Sequence, residues 1–461
     1  MGTVPEAYYE FVMDYAPHVY VAPPGTPDQN WGKAAFAAAF AIDFLYEAYS
    51  AEQFSSRKTA ILDKVVSLAD WILTQQCTNG AKKAYGGFKS TENSQHYYAV
   101  DACRVIPSLL KAYELTDDAD YLDAARLAGA FLKTMQDQQP YGGFARAVDE
   151  GDNWLLEMDV ECLYGLIGLR MLAEKYDVEN AALYRGMMKR AADFLRQGLE
   201  GFWLWFSPAD GKWHRAGLKE NHVYDDCLAY ALLGLYEYEG WSTTCQKVYD
   251  FINSIGASAQ YPAYNPAVCW AGYLDVVSRC PACDYYDAVT AGILWRVRQN
   301  HDKPSLALSI KVIEKHRDKF MFWGVRQADY TPVESKWAMA TVCWLGRLLL
   351  NYQEPLTRFT QVLRAIGETI TLYPAAAVDG SVAYGDGLEI QAVVNPARVD
   401  EVLLEPGYVL NDYVAVYAFV PFRRRDKVRW KGVDYEVLTV QPFTWRGETA
   451  YYKAVCRRLL S

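Results

Sequence analysis

Four short stretches of this chain gather carboxyl, imidazole and indole side chains. DQNWGK holds Asp28, Asn30 and Trp31, and NSQHYYAVD holds Gln95, His96, Tyr97 and Asp101. NWLLEMDVE holds Trp154, Glu157, Asp159 and Glu161, and NHVYDDC holds Asn221, His222, Tyr224, Asp225 and Asp226. Cleavage of a glycosidic bond needs two carboxyl groups about 5 to 10 Å apart, one protonated and one ionised. Asp159, Asp101 and Asp225 come from three successive stretches and are the candidate acid and base. Burial beside rings would raise the pKa of one and leave another low. Trp31, His96, Trp154, His222 and Tyr224 are the candidate ligand-binding groups, because rings stack on sugar faces while polar groups meet the hydroxyls. A plainer reading stands beside this one. Acidic residues in a first helical turn stabilise the helix dipole in any case, and a histidine is often a satisfied hydrogen-bonding group. The residue types leave open turnover, binding without turnover, and structure alone. No H-E-x-x-H or other metal-ligand spacing occurs, and nothing calls for a cofactor.

Side chains so far apart in sequence need regular elements to position them, and the sequence repeats. ADWILTQQ, GAFLKTMQ, ADFLRQGL and YDFINSIG carry Trp71, Phe131, Phe194 and Phe251 at matching places, a period of about 60 residues. A second set, which includes DACRVIPSLLKAYE and VECLYGLIGLRMLAE, places Cys103, Cys162, Cys227, Cys269 and Cys343 at one point of successive apolar helices. A small apolar thiol at a fixed position predicts a tight buried contact. WGKAAFAAAFAIDFLYEAY fills the same role with alanines. Six apolar helices are expected near 31–49, 94–114, 153–175, 221–239, 267–279 and 334–352. Amphipathic ones are expected near 57–76, 119–138, 179–198, 242–255, 285–300 and 304–320. Apolar helices inside and amphipathic ones outside make a double ring, an (α/α)6 toroid over residues 1–354. The last pairings are open, since 285–300 and 304–320 are two helices where the repeat has room for one. Tyr-Gly-Gly-Phe occurs twice, at 85–88 and 141–144, each time between an outer and an inner helix, where the glycines turn the chain. The candidate residues begin the inner helices, at the mouth of the ring.

This layout resembles the six-hairpin toroid folds of glycoside hydrolases, polysaccharide lyases and sugar epimerases. The likeness spans about residues 20 to 355 and rests on architecture and ring-rich loops. It implies a glycan ligand.

From about Glu354 the helical period gives way to alternation. LEIQAVV, YVAVYAFV, KVRWKGVDYEVLTVQPF and TAYYKAVCRRLL read as strands, with hairpins around Lys431-Gly432 and Arg446-Gly447. Residues 355–461 are therefore expected to form a small antiparallel β-barrel, after a helix near 356–371. RRDKVRWKGVDYEVLTVQPFTWRGETAYYKAVCRRL resembles the C-terminal strands of tailed-phage head–tail connector proteins of the stopper or head-closure class. The matching positions are Asp426, Val428, Gly432, Tyr435 and Val437, and the likeness fails at Arg425, where that family has glycine. KOW and SH3-like barrels use similar hairpins and remain alternatives. Arg423, Arg424, Arg425, Lys427 and Arg429 crowd one strand and its turn, reading either as a solvated basic edge or as an interface.

Composition narrows the classes. Of 461 residues, 51% are hydrophobic, enough for a large core, and aromatic content is 15%. The net charge of -10 argues against non-specific nucleic-acid binding by the whole chain. No apolar run reaches the roughly 20 residues of a membrane helix, and MGTVPEAYYEFVMDYAPH lacks the basic start of a signal peptide. Cys280 and Cys283 form the one C-x-x-C pair, read as structural because no second pair completes a zinc site. Two functions fit. The resemblance of the barrel implies a virion neck component assembled in the host cytoplasm. Its partners would be portal or adaptor and tail proteins in a ring, with contact to packaged DNA and a toroid appendage for host carbohydrate. The alternative is a cytoplasmic glycan-active enzyme, a glycoside hydrolase or lyase, with the barrel as accessory module.

Overall fold

The computed structural model describes residues 6–22, 26–214, 222–257, 273–275, 289–290, 292–294, 296–297, 324–325, 332–333, 337–351, 367–378, 381–398, 402, 408–445 and 448–459. Contacts divide the chain into two compact units, Thr3–Asn351 and Tyr352–Ser461. The fold is mainly helical, an (α/α)6 toroid, followed by an antiparallel β-barrel.

The helices are α1 (Glu6–Tyr15), α2 (Ala35–Ser50), α3 (Lys58–Gln75), α4 (Ala99–Thr116), α5 (Ala119–Asp137), α6 (Gly165–Met171), α7 (Ala181–Glu200), α8 (Asp225–Glu239), α9 (Thr243–Ala257) and α10 (Met339–Asn351). Burial separates two kinds. In α2 the alanines and Phe40, Ile42, Phe44 and Leu45 are buried on every side, as an inner helix requires. In α7 burial follows one stripe, through Tyr184, Met187, Met188, Ala191 and Leu195. The inner set packs in sequence, α2 on α4, α4 on α6, α6 on α8, and α10 returns to α2, so the ring closes. A strand at Tyr20–Ala22 pairs with the strand Trp337–Ala338, joining Tyr20 to Ala338 and Val21 to Trp337. This clasp ties the start of the unit to the residues that lead into α10. A short strand leads into other inner helices too: His96–Tyr98 before α4 and His222–Tyr224 before α8.

The Tyr-Gly-Gly-Phe turns explain themselves by close approach. Gly86 has φ 87, and a Cβ there would stand 2.4 Å from the Leu127 carbonyl oxygen of α5. Gly142 has φ 109, and its Cβ would stand 2.8 Å from the Arg190 carbonyl oxygen of α7. Each turn is pressed against the next outer helix, and a preceding glutamine fastens it. Gln76 Nε2 donates to the Gly86 and Ala124 carbonyls, and Gln136 Nε2 to those of Gly142 and Met187. Phe88 and Phe144 are fully buried, while Tyr85 and Tyr141 remain exposed.

Cys103, Cys162 and Cys343 are buried free thiols and Cys227 is half-buried. Cys103 fits because Gly165 faces it: a Cβ on Gly165 would lie 2.4 Å from the Cys103 sulfur. Cys269, Cys280 and Cys283 lie outside the described residues.

Three expected elements differ. The helix expected over 153–175 starts later. Asp149 accepts the Asn153 N–H at 2.8 Å, which makes a turn, and strands follow at Trp154–Leu155 and Met158–Asp159. Only from Val160 does the chain wind, as a 3-10 turn (Val160–Tyr164), α6 and a π turn (Leu172–Tyr176). Within the expected inner helix 267–279, Tyr273–Asp275 is a strand antiparallel to His222–Tyr224. Within the expected outer helix 285–300, residues 289–290, 292–294 and 296–297 are helical but belong to the inner ring. Val289 reaches the central cavity, and a Cβ on Gly292 would meet the Trp344 carbonyl of α10 at 2.9 Å. The cysteine and apolar pattern of 267–279 does not separate strand from helix, because a short apolar run suits either. The helix at 304–320 and most of that at 356–371 lie outside the described residues.

Beneath the mouth, the inner helices are joined by buried charges. Lys111 Nζ stands 2.6 Å from Asp43, which also accepts the Ser108 hydroxyl. Arg347 of α10 binds Glu47 through Nε and Nη2 at 2.9 and 2.7 Å, and Arg296 reaches Glu47 at 3.0 Å.

In the second unit, strands 368–373, 388–396, 413–418, 448–458, 433–445 and 427–430 pair in that order, and the last closes on the first. Its core contains Ile370, Leu372, Val416, Val428, Val437 and Cys456. Lys431 and Gly432, both at positive φ, make the tight turn between strands 427–430 and 433–445.

Candidate functional site

At the N-terminal ends of the inner helices lies a cavity of about 180 Å³. Tyr20 comes from the clasp strand, Phe36 and Phe40 from α2, Arg104 from α4, and Asp226 and Tyr230 from α8; Val289, Ala338 and Thr341 complete the wall. Phe40 and Tyr230 stack face to face at 5.6 Å, and Trp344 packs on the edges of both. The Arg104 guanidinium sits among ring faces, 5.5 Å from Phe36, 5.8 Å from Phe40 and 5.3 Å from Tyr230. Its Nη2 donates to Glu161, whose second oxygen accepts the Cys227 thiol at 3.2 Å.

Two carboxyls beside this pair are set apart. Asp101 is 1% exposed; a hydrogen bond with Ser90 and Arg104 Nη1, 4.0 Å away, act on its carboxyl. Burial raises its pKa to about 6, against the pull of Arg104 and Ser90. Asp226 borders the cavity and is half-buried, but its Oδ1 is enclosed and unpartnered. Burial first, and the Glu161 charge second, raise its pKa to about 7. Arg104 Nε and Trp344 Nε1 are also buried without partners. Each such atom costs about 1 to 3 kcal/mol unless something meets it, and native proteins keep them few. Of these residues, Arg104 and Asp226 line the ring-walled cavity.

The candidates from the sequence scatter. Asp101 lies in the cluster just described. Asp159 does not: Arg146 grips it with Nε and Nη2, at 2.9 and 2.7 Å, so its oxygens are committed to an ion pair. Arg146 also lies over Trp205, which stacks on His214 at 4.3 Å. Asp225 opens α8 and its side chain is outside what is described. His222 and Tyr224 belong to the lead-in strand, opposite Asp275 and Tyr273. Trp31 is 49% exposed and meets Tyr20 edge-on at 5.2 Å, which places it beside the cavity wall. His96 and Trp154 share a three-stranded sheet, but His96 pairs with Asp149 while Trp154 pairs with Val148, so they occupy opposite faces. Lys83 lies over the Trp154 ring at 5.5 Å. Arg104 was missed, although an arginine inside the apolar run DACRVIPSLL is itself a signal. Glu161 and Asp226 stood in the quoted stretches but were not chosen.

The basic strand of the barrel is largely paired. Lys427 and Arg429 converge on Asp434, at 3.5 and 2.6 Å, and both lie over Tyr373. Arg423, Arg424 and Arg425 are exposed; Arg424 Nε donates to the Leu438 carbonyl at 2.8 Å. Asp426 is buried and accepts the N–H groups of Ala375 and Arg423, which pins this turn. Arg425 has φ 73, a conformation that glycine takes without strain. Among the described residues no group of three or more His, Cys, Asp or Glu could hold a metal, and no helix is long and apolar enough to cross a membrane.

No protein-family model matches the sequence, and no curated protein matches it either. Solved structures do. A cellobiose 2-epimerase from Spirochaeta thermophila matches with TM-score 0.53 and 14% identity, over 72% of this chain and 90% of that one. An alpha-amylase from Clostridium perfringens matches with TM-score 0.51 and 12% identity, over 75% and 96%. An alpha-mannanase from Bacteroides thetaiotaomicron matches with TM-score 0.50 and 13% identity, over 77% and 97%. At such identities the likeness is one of fold. None of these three is a connector protein.

Proposed function

We propose that the helical unit is a glycan-active enzyme of the glycoside hydrolase type, with its active site in the central cavity. The observation that carries this reading is the pair of unpartnered polar atoms on Arg104 and Asp226 in the wall of a ring-lined cavity. The structural neighbours support it, since proteins named as amylase, mannanase and epimerase share the toroid. The neck-component reading gains no support from them.

Asp226 is the proton donor. Burial raises its pKa to about 7, so a large fraction is still protonated near neutrality and can pass its proton to the glycosidic oxygen as the bond to C1 breaks. Water then attacks C1 and gives its proton to an ionised carboxylate, Glu161 or Asp101. Arg104 pairs with Glu161 and stands 4.0 Å from Asp101, so its charge favours an ionised carboxylate at either position. The rings of Phe36, Phe40 and Tyr230 give the sugar an apolar wall. The cavity is smaller than the roughly 300 to 1,000 Å³ of drug-sized sites, so it suits one sugar ring at a chain end.

The test is a reducing-end assay of the full chain on a broad oligosaccharide panel. Asp226→Asn should lower turnover by about 10²- to 10⁴-fold on any substrate found. Glu161→Gln and Asp101→Asn then identify the partner, since only the true one loses turnover comparably. Undiminished turnover in Asp226→Asn, or none by the parent chain across the panel, overturns the proposal.

A further inference from the structure

A second recess lies at the other end of the helical unit. The inner helices begin at the mouth, so the last turns of α6 and α8 lie on the opposite face, where α7 begins. Between these three ends is a cleft of about 680 Å³, nearly four times the volume of the central cavity at about 180 Å³. It falls within the roughly 300 to 1,000 Å³ of ligand clefts, and the proposed reaction uses none of its residues. α6 runs into the π turn Leu172–Tyr176, a kind of turn that recurs at functional sites. That turn sets buried Ala173 on the floor of the cleft, beside Met188 of α7, and exposed Glu174 on its rim. Arg170 donates from Nε to Glu174 at 3.0 Å and from Nη1 to the Glu237 carbonyl of α8, so its guanidinium is fixed between the two walls. Tyr236 and Tyr238 bring two half-buried rings from α8, and Trp241 braces Tyr236 edge-on. At Gly240 the chain turns away with φ 80, and a Cβ there would meet nothing within 4 Å.

The wall carries charge of both signs. Arg170 is answered by Glu174 at 3.0 Å and Lys189 by Asp193 at 2.5 Å, within the fold. That leaves Arg185 and Glu237, whose side chains make no ion pair among the described residues. A ligand therefore meets one strong donor group and one strong acceptor group, with no excess of either charge. Hydroxyl groups suit both, since each donates and accepts, and a sugar face can rest on a tyrosine ring. An anionic ligand would meet Glu237, and a cationic one Arg185. Resting on the reading of the helical unit as glycan-active, we infer that this cleft is a second, non-catalytic site for neutral oligosaccharide. It has room for several sugar rings where the central cavity takes one, and it anchors the polymer whose ends the central cavity receives.

The experiment is calorimetric titration of the full chain, with Asp226→Asn in place to silence hydrolysis. The probes are linear hexasaccharides of glucose, mannose and N-acetylglucosamine, with a glucuronate hexamer and inorganic phosphate as anionic controls. At least one neutral oligomer should bind at two sites per chain. Tyr238→Ala and Arg185→Ala should each weaken one of those sites by about tenfold and leave the other unchanged. Arg185 is exposed, so its variant serves if Tyr238→Ala does not fold. With Asp226 restored, both variants should cleave a short substrate as the parent does and a long polymer more slowly. A single site per chain, two sites that ignore both substitutions, or binding of no neutral oligomer overturns the inference. Tighter binding of glucuronate or phosphate than of any neutral oligomer, lost in Arg185→Ala, overturns it too. Hydrolysis with one binding site would sink this inference alone. Two sites with one sensitive to Tyr238, in a chain that hydrolyses nothing, would sink the catalytic reading alone.

Discussion

Asp101 and Asp226 keep their protons to about pH 6 and 7 because burial disfavours the charged form, and the fold bears the cost when they ionise. In the unfolded chain both would titrate near 4. Between about pH 4 and 7 the native state therefore holds more protons than the unfolded one, and stability falls as pH rises. Asp101→Asn and Asp226→Asn should each be more stable than the parent near pH 7.5, by about 1 to 3 kcal/mol, with the difference vanishing near pH 4. Thermal melts at the two pH values read this directly. A constant difference, or a loss of stability at pH 7.5, would show that the carboxyls are satisfied. The sequence made part of this site legible. Acidic residues at inner-helix starts were visible in NSQHYYAVD and NHVYDDC, and Asp101 was identified. Asp226 follows Asp225 directly, and one residue turns the side chain about 100° around the axis, a phase that the sequence alone does not resolve. An inner helix that is apolar on every side gives no stripe from which to read that phase. Asp159 carried the right type in the right place, but its partner Arg146 lies in a separate loop, where no local pattern reveals it.

At the scale of elements, the repeat was legible because each unit solves the same packing problem with the same residues. Gln76 and Gln136 hold successive turns, and Gly86 and Gly142 let those turns meet the next outer helix. The fifth inner helix was not legible, because the cysteine used as a register mark recurs in a stretch that contains a strand. Two glycines separate the demand for a positive φ from the demand for close approach. Gly142 combines φ 109 with a backbone carbonyl 2.8 Å from where its Cβ would be. Gly211 has φ 68 with nothing within 4 Å. Gly211→Ala should cost about 1 kcal/mol, the strain of a left-handed residue alone. Gly142→Ala should cost more, about 2 to 4 kcal/mol, because α7 must also move. Chemical denaturation of both variants gives the comparison. Equal losses would mean that the turn does not brace the outer helix.

At the scale of the molecule, the inner ring depends on charges that its apolar helices cannot leave unpaired. Burial pushes the Glu47 carboxyl up, but Arg347 and Arg296 outweigh it and hold its pKa at about 2. That depressed value contributes stability which is full above the unfolded pKa near 4 and is lost as pH falls toward 2. Arg347 joins α10 to α2, the contact that closes the ring, and it is 5% exposed. Arg347→Met leaves Glu47 and Asp43 with less compensation, and breaking a buried pair from one side costs about 3 to 5 kcal/mol. The loss should fall on the helical unit. The barrel has its own core and its own buried anchor in Asp426, and contacts divide the chain between Asn351 and Tyr352. Scanning calorimetry of the full chain should then show two transitions. Arg347→Met should lower the helical one at pH 7, by less as pH falls from 4 to 2, and leave the barrel transition in place. If both transitions shift together, ring and barrel unfold as one body, and the ion network stabilises the whole chain rather than the closure of the ring.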